Sequence, residues 1–224
     1  MSYRQHPIFP DQIYHVFNRS VAKQPIFLDE NDYQRFLNVV DFYRFFSPGL
    51  RFSHYNRLSL EERKTFMEKL LKNGEKQVLI FAFCLMPNHF HFLLKGLKEL
   101  GIQKFASNLQ NSYAKYFNTK RKRNGALFQE MFKTVRIESD EQLLHVARYI
   151  HLNPFTSYLV KDINQLRDYS WSSLGDYLGK KIFSFVETDF LSGFYPSVEK
   201  FITFTFNQAD YQRQLEEIKH LTLE

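Results

Sequence analysis

Cysteine is almost absent from this chain of 224 residues, since Cys84 is its only one. A single cysteine cannot form an intramolecular disulfide, which excludes a disulfide-stapled scaffold and favours the reducing cytoplasm. No apolar run approaches the roughly 18 residues that a membrane-spanning helix needs. The amino terminus also lacks the uninterrupted apolar stretch of a signal peptide. We therefore expect a soluble protein without a membrane partner.

Acidic residues are missing between Glu99 and Glu130. The formal net charge of +6 alone says little about partners. The acid-free window, however, interleaves Tyr113, Tyr116 and Phe117 with cations. These cations are Lys104, Lys115, Lys120, Arg121, Lys122 and Arg123. Cations for phosphates and flat rings for bases are typical of a single-stranded nucleic-acid surface, and a solvated basic helix end is the alternative.

The rest of the composition is that of a globular protein. Hydrophobic residues make up 44% of the chain and include 25 Phe and 13 Tyr, which excludes a disordered polymer. Apolar periodicity predicts strands at 13–18, 77–85, 89–95 and 132–137, and helices at 29–46, 98–118 and from 139 to a stop at Pro154. This order predicts an α+β, ferredoxin-like (RRM-like) antiparallel sheet with helices on one face and a further helix after the fourth strand.

Three segments lie outside that pattern. Residues 50–76 are predicted to be a helical insertion, because Ser59 and Glu62 form a capping box before a charged helix. Residues 173–178 favour a short helix. Residues 208–223 are amphipathic and predict a terminal helix that packs on the domain or on a second subunit.

A histidine pair opens the third predicted strand. Side chains alternate along a strand, so His89 and His91 share one face while Phe90 and Phe92 share the other. Two imidazoles on one face need polar partners, and a divalent metal could serve both. Two hydrogen-bonded surface histidines are the alternative.

The helix after the fourth strand carries polar groups that could complete such a site. Tyr149 and Asn153 are four residues apart and lie on one face, about 6 Å apart along the axis, with His145 on the same face. His151 should point elsewhere. If this face meets the histidine pair, two imidazoles and an amide oxygen could hold a metal and leave positions open for a substrate oxygen. A packed tyrosine is the alternative.

Ordered motifs along the chain resemble those of the single-tyrosine HUH transposases, and most closely the IS200-like or REP-associated tyrosine transposases. They are Met86-Pro87-Asn88-His89-Phe90-His91, Gly125-Ala126-Leu127-Phe128-Gln129 with Phe132-Lys133, Tyr149-Ile150-His151-Leu152-Asn153-Pro154, and Tyr169-Ser170-Trp171-Ser172-Ser173. The stretch at 14–19 is similar to the opening strand of that branch. The resemblance covers residues 10–178, without 50–76, and leaves the tail beyond 180 unaccounted for.

The resemblance implies a catalytic domain over residues 1–180, with a carboxy-terminal extension over 181–224. It implies that Tyr149 is the nucleophile, that His89 and His91 bind Mg or Mn, and that Asn153 is the third ligand. The implied activity is a transposase that cuts single-stranded DNA beside a hairpin through a 5′-phosphotyrosine intermediate. Activation of the phenol needs a further group, for which His145, Lys133 and Arg136 are candidates.

DNA binding is predicted for the basic helix and loop and for the fourth strand. The residues are Lys115, Tyr116, Lys120, Arg121, Lys122, Arg123, Lys133 and Arg136. Tyr116 is expected to stack on bases, and the cations are expected to contact phosphates. The segment 125–128 is predicted to be structural, with Gly125 in a turn and Phe128 packed.

Three questions stay open on the sequence alone. A domesticated relative that binds hairpin DNA or RNA without chemistry has the same motifs. A small-molecule metal hydrolase is disfavoured, because no third histidine or carboxylate cluster adjoins the pair. Relatives work as homodimers or as monomers, and the tyrosine helix serves either its own histidines or those of the partner. We expect the protein in the cytoplasm of a prokaryote, at the nucleoid.

Overall fold

The computed structural model describes residues 7–207 and 209–210. The terminal helix predicted at 208–223 lies outside the described residues, except for two positions. The strands are β1 Ile13–Arg19, β2 Val78–Met86, β3 His89–Gly96 and β4 Lys133–Arg136. The α-helices are α1 Glu30–Tyr43, α2 Phe52–Tyr55, α3 Leu60–Asn73, α4 Gly101–Lys120, α5 Asp140–Thr156, α6 Leu174–Tyr177, α7 Thr188–Ser192 and α8 Val198–Phe206.

The four strands form an antiparallel sheet in the order β2-β3-β1-β4, which confirms the predicted ferredoxin-like α+β fold. In the register between β1 and β3, Phe17 lies opposite His91 and Arg19 lies opposite His89. Residues directly opposite each other in antiparallel strands point to the same face. The sheet therefore places the β1 side chains at alternate positions beside the histidine pair.

Apolar residues cover both faces of the sheet. On one face, α1 and α4 pack on Phe90 and Phe92, as the alternation in β3 requires. On the other face, α5 packs on β2 and β3, including Leu93, and α8 packs on α5. Ile150 of α5 and Phe201 of α8 are fully or nearly fully buried there. The two predicted helices of the ferredoxin-like core thus share one face, and the helix after the fourth strand lies on the opposite face.

Helix α5 begins where the sequence predicts and ends later. The Ser139 side chain accepts a hydrogen bond from the Gln142 N–H, which caps the first turn. The predicted stop at Pro154 is wrong, because the helix continues to Thr156. Proline removes one backbone donor, and here this falls in the last turn, where Ser157 N–H still reaches the Asn153 carbonyl. Burial of Phe155 favours the two additional residues.

The predicted helical insertion consists of α2 and α3. The capping box of α3 is confirmed, because the Ser59 oxygen accepts from Glu62 N–H and the Glu62 carboxylate accepts from Ser59 N–H. No residue of α3 is buried. Its Phe66 contacts the rings of Phe42 in α1 and Tyr55 in α2. The insertion therefore lies against the α1 side of the sheet.

The turn predicted after the basic loop is also present. Gly125 has a φ of 92°, a left-handed conformation that favours glycine. Phe128 packs against the rings of Phe90 and Tyr113. None of the helices in the described part of the chain has the length and hydropathy needed to cross a bilayer.

Candidate active site

The tyrosine of α5 and the histidines of β3 meet in this structure. The ring centroids of His89 and His91 are 5.0 Å apart, and those of His91 and Tyr149 are 5.5 Å apart. Helix α5 is held on this face by the buried side chains of Ile150 and Leu152. The adjacent face of α5, which carries Tyr149, is thereby turned toward His91 of β3.

Asn153 lies one helical turn after Tyr149 and faces the same histidines. Its Oδ1 is 3.4 Å from Nε2 of His89, and the residue is 5% exposed. On the other side of the same imidazole, Nδ1 of His89 lies 2.6 Å from Oδ1 of Asn88. The His89 ring is therefore oriented between two amide oxygens, one from the β2–β3 turn and one from α5.

His15 of β1 also belongs to the site, although the sequence analysis did not single it out. Its Nε2 lies 2.8 Å from Nδ1 of His91, and both residues are buried. When His91 donates this hydrogen bond, its Nε2 keeps the lone pair and can bind a metal. The signal was present in the alternation of β1, which puts His15, Phe17 and Arg19 on one face, but only the β1–β3 register shows that this face carries His91.

Burial keeps these imidazoles neutral. Desolvation lowers the pKa of His15 to about 4. Desolvation and then the positive charge of Arg19 lower the pKa of His89 to about 4. The pKa of His91 lies well below its usual value, first because of burial and then because His15, His89 and Arg19 are nearby. Neutral rings have the free lone pairs that metal ligation requires.

The residues present fit a divalent ion. Nε2 of His91 is buried without a hydrogen-bond partner, which is unusual for a ring nitrogen and leaves it available as a ligand. Across the described residues, no group of three or more His, Cys, Asp or Glu side chains could hold a metal. An ion at the pair would therefore need a ligand of another type, and the Asn153 amide oxygen lies beside His89.

Two cavities adjoin these side chains, and His89, Tyr149 and Arg19 line both. The larger, of about 440 Å³, also contains Lys23 and Asn153. The smaller, of about 210 Å³, contains His91, Lys133 and Gln129. Among the described residues, no carboxylate lines either cavity. Both therefore suit an anionic substrate, and Tyr149 is accessible from each.

The three groups proposed to activate the phenol lie in different places. Lys133 lines the smaller cavity beside Tyr149. The Arg136 guanidinium donates a hydrogen bond to Oε1 of Gln12, near the other end of β4. His145 contacts Arg148 and the Phe204 ring of α8. Among the three, Lys133 is the one that shares a cavity with Tyr149.

His151 points away from the site, as predicted, and its Nε2 lies 2.9 Å from Oγ of Ser173.

The structure gives several predicted DNA-binding residues internal partners. Lys120 and Arg121 form ion pairs with both Asp29 and Asp32, at distances of 2.6 to 3.1 Å. The Tyr116 hydroxyl donates to Oδ1 of Asp32. Arg123 donates to Asn118 and to the Ala126 carbonyl, whereas Lys115 and Lys122 are exposed. A role of these residues in DNA binding stays a prediction.

Comparisons with known proteins found one matching family and a solved structure with a similar fold. Residues 48–153 match the family described as IS200-like transposases. The fold is similar to a solved structure described as a REP-associated tyrosine transposase bound to a REP hairpin, with a TM-score of 0.51 and 15% sequence identity over 84% of this chain and 91% of that chain. No curated protein matches the sequence. The matched family segment contains the histidine pair and ends at Asn153.

Proposed function

We propose that this chain is an IS200-like transposase, that is, a metal-dependent endonuclease and strand transferase for single-stranded DNA next to a hairpin, because residues 48–153 match that family and the fold is similar to that of a transposase. The observation that carries this proposal is the contact of Tyr149 with His91, whose Nε2 is buried without a partner. The hairpin is proposed because the structurally similar transposase is described as bound to one.

In the proposed reaction, the Tyr149 oxygen attacks a backbone phosphorus. A bond forms between this oxygen and the phosphorus, the bond to the 3′ oxygen breaks, and the 3′ oxygen leaves as a hydroxyl. A Mg²⁺ or Mn²⁺ ion held by His89, His91 and Asn153 would withdraw electron density from a non-bridging phosphate oxygen. The product is a 5′-phosphotyrosine on the downstream strand.

The other residues of the site bind and orient the strand. A phenol is largely protonated at neutral pH, so its proton must pass to solvent water during the attack, and the leaving 3′ oxygen takes up a proton from water to become a hydroxyl. Lys133 lines the same cavity and would stabilise the negative charge that develops on the phenol oxygen. Arg19 lines both cavities and would hold the phosphates on either side of the attacked bond.

The covalent intermediate makes the reaction reversible. Since a phosphotyrosine diester replaces a phosphodiester, the energy of the broken bond is retained. A 3′ hydroxyl can then attack the same phosphorus, release Tyr149 and join two strands without ATP. This exchange is the chemistry that moving a DNA segment requires.

A covalent adduct tests the proposal. A library of single-stranded hairpin DNAs, labelled at the 3′ end, is incubated with the protein and Mg²⁺ or Mn²⁺ and separated on a denaturing gel. We expect a labelled protein band that is lost in Tyr149→Phe and in the presence of EDTA. Tyr158→Phe is the matched control, because Tyr158 lines the same larger cavity and should leave the band unchanged.

Two results would contradict the proposed chemistry. A band that persists in Tyr149→Phe would assign the nucleophile to another residue. The absence of any adduct across the hairpin library, with hairpin binding retained, would leave a non-catalytic binding protein for hairpin DNA or RNA.

A further inference from the structure

A second positively charged surface lies on the face of the sheet opposite to Tyr149. A groove of about 600 Å³ is bordered by α1, the start of α2 and α4. Its charged lining consists of Arg35, Arg51, Lys115 and Lys120, and the part of the chain that the structure describes adds no carboxylate to it. Helices α1 and α4 cover one face of the sheet and α5 the other, so this groove is separate from the two cavities at Tyr149.

Arg35 is fixed in the wall of this groove. Its guanidinium carbon lies 4.4 Å from the centre of the Phe52 ring and 5.1 Å from the centre of the Tyr116 ring. Its Nε is buried without a hydrogen-bond partner. Within residues 7–207 and 209–210, no carboxylate forms an ion pair with Arg35, Arg51 or Lys115. These three charges are therefore available to an anion.

The basic loop next to the groove differs in this respect. Lys120 and Arg121 share Asp29 and Asp32, and Asp32 is fully buried. These carboxylates offset the positive charge at the end of α4. The positive charge without a paired carboxylate thus lies nearer the start of α4, at Lys115, in α1 at Arg35, and directly before α2 at Arg51.

The exposed face of α4 supplies uncharged hydrogen-bonding groups in the same groove. These uncharged groups belong to Asn108, Asn111, Ser112 and Thr119. Together with Lys115, Asn108, Ser112 and Thr119 lie at successive spacings of three or four residues, so they form one stripe roughly 16 Å long. A DNA strand carries one phosphate about every 3.4 Å along the duplex axis. The stripe is long enough to contact several successive phosphates.

The aromatic rings in the groove, and that of Phe52 buried next to it, are already in contact with other groups. The rings of Tyr116 and Phe52 pack against Arg35, and the Tyr43 hydroxyl accepts a hydrogen bond from Phe52 N–H. Single-stranded sites need free rings on which bases can stack. This groove presents cations and amides, which favours the backbone of duplex DNA, where charge density is highest and the bases are paired.

We propose that this groove binds the sugar-phosphate backbone of the hairpin stem without reading its sequence. The inference rests on the proposed function, because it assigns the same DNA substrate to a second surface. It also reassigns Tyr116, whose ring supports Arg35 instead of stacking on a base. The stem is held on the α1 and α4 side of the sheet, while the cleaved strand reaches Tyr149 on the other side.

The salt dependence of hairpin binding tests this groove. The double variant Arg51→Gln/Lys115→Gln is compared with Lys69→Gln/Lys72→Gln, which removes the same charge from the exposed face of α3. Binding of a DNA hairpin is measured in EDTA, so that no cleavage contributes. Loss of two phosphate contacts reduces the slope of log K against log salt by about 1.8 and weakens binding roughly 30-fold at 0.15 M salt.

The control variant and the probes make each result decisive. We expect the α3 variant to keep the slope of the unmutated protein, and two hairpins with different stem sequences to lose affinity equally in the groove variant. Equal salt slopes for the two variants would contradict the proposed binding of the stem in the groove. A loss of affinity seen only with an unpaired strand would contradict it as well. Failure of the unmutated protein to bind any hairpin would overturn it as well. Failure of the proposed chemistry is distinct, since it removes the Tyr149 adduct and leaves hairpin binding in EDTA unchanged.

Discussion

At the scale of single residues, the state of one imidazole nitrogen decides whether the site can hold an ion. Nε2 of His91 faces the site without a partner, and Nδ1 of the same ring is paired with His15. A neutral histidine has one N–H and one lone pair, so the partner of one nitrogen selects the role of the other. We therefore propose that His15 orients His91 for metal binding, since the Nε2 of His15 is occupied by the contact with Nδ1 of His91.

Replacing His15 tests this positioning role. In His15→Phe, a phenyl ring replaces the imidazole, so the aromatic packing is kept and the hydrogen-bond acceptor for Nδ1 of His91 is lost. We expect the Mn²⁺ affinity to fall about 10- to 100-fold in calorimetric titrations. We also expect ¹⁵N NMR of the metal-free protein to show loss of the Nδ1–H form of His91. His54→Phe, which changes an exposed histidine of α2, should alter neither measurement. Unchanged Mn²⁺ affinity in His15→Phe would contradict the role.

At the scale of elements, α5 and α3 show how differently two helices can be attached to one domain. Helix α5 buries a full apolar side against the sheet, whereas no residue of α3 is buried. The position of Tyr149 depends on the first kind of attachment, because a shift of α5 would move the phenol from the histidine pair.

A pair of truncations compares the two attachments. Ile150→Ala removes a fully buried side chain from α5 and should lower the free energy of unfolding by about 2 to 5 kcal/mol. Leu71→Ala on α3 removes a side chain that is 57% exposed and should change it by less than about 0.5 kcal/mol. Urea unfolding followed by circular dichroism measures both. Similar losses for the two variants would show that α3 carries more of the stability than its burial indicates.

The sequence predicted the helices and strands better than it predicted the side-chain contacts between residues far apart in the chain. The alternation of polar and apolar residues in β3 was enough to place His89 and His91 on one face of the sheet and Phe90 and Phe92 on the other, because strand periodicity is a local property. The pairing of Lys120 with Asp29 joins residues 91 positions apart and is visible only in the folded chain. The register that brings His15 to His91 has the same origin. Pro154 misled because proline disfavours helix interiors generally but is tolerated in this last turn.

At the scale of the whole molecule, one chain contains the complete set of proposed active-site groups. His91 and Tyr149 of the same chain are in ring contact, and Asn153 reaches His89 within that chain. The sequence left open whether the tyrosine helix acts on its own histidines or on those of a partner subunit. The observed arrangement favours action within one chain, whether or not the protein forms homodimers.

Mixing two inactive variants tests this point. Tyr149→Phe lacks the proposed nucleophile, and His91→Ala lacks a proposed metal ligand. If each active site is built from one chain, an equimolar mixture of the two should form no covalent DNA adduct above the level of either alone. Co-expression of the two variants ensures that any mixed dimers can form, and co-expression of each variant with the unmutated chain is the control. Recovery of the adduct in the mixture would show that helices are exchanged between subunits.

The only thiol of the molecule lies fully buried in β2, and burial raises its pKa. A maleimide dye would therefore leave the native chain unlabelled, so that a cysteine introduced on the surface becomes a unique attachment point. Dyes placed by Lys69→Cys and, in a second preparation, by Glu141→Cys on α5 would report distances from labelled DNA to the two sides of the sheet. The native protein thus contributes no labelled cysteine of its own to such fluorescence measurements.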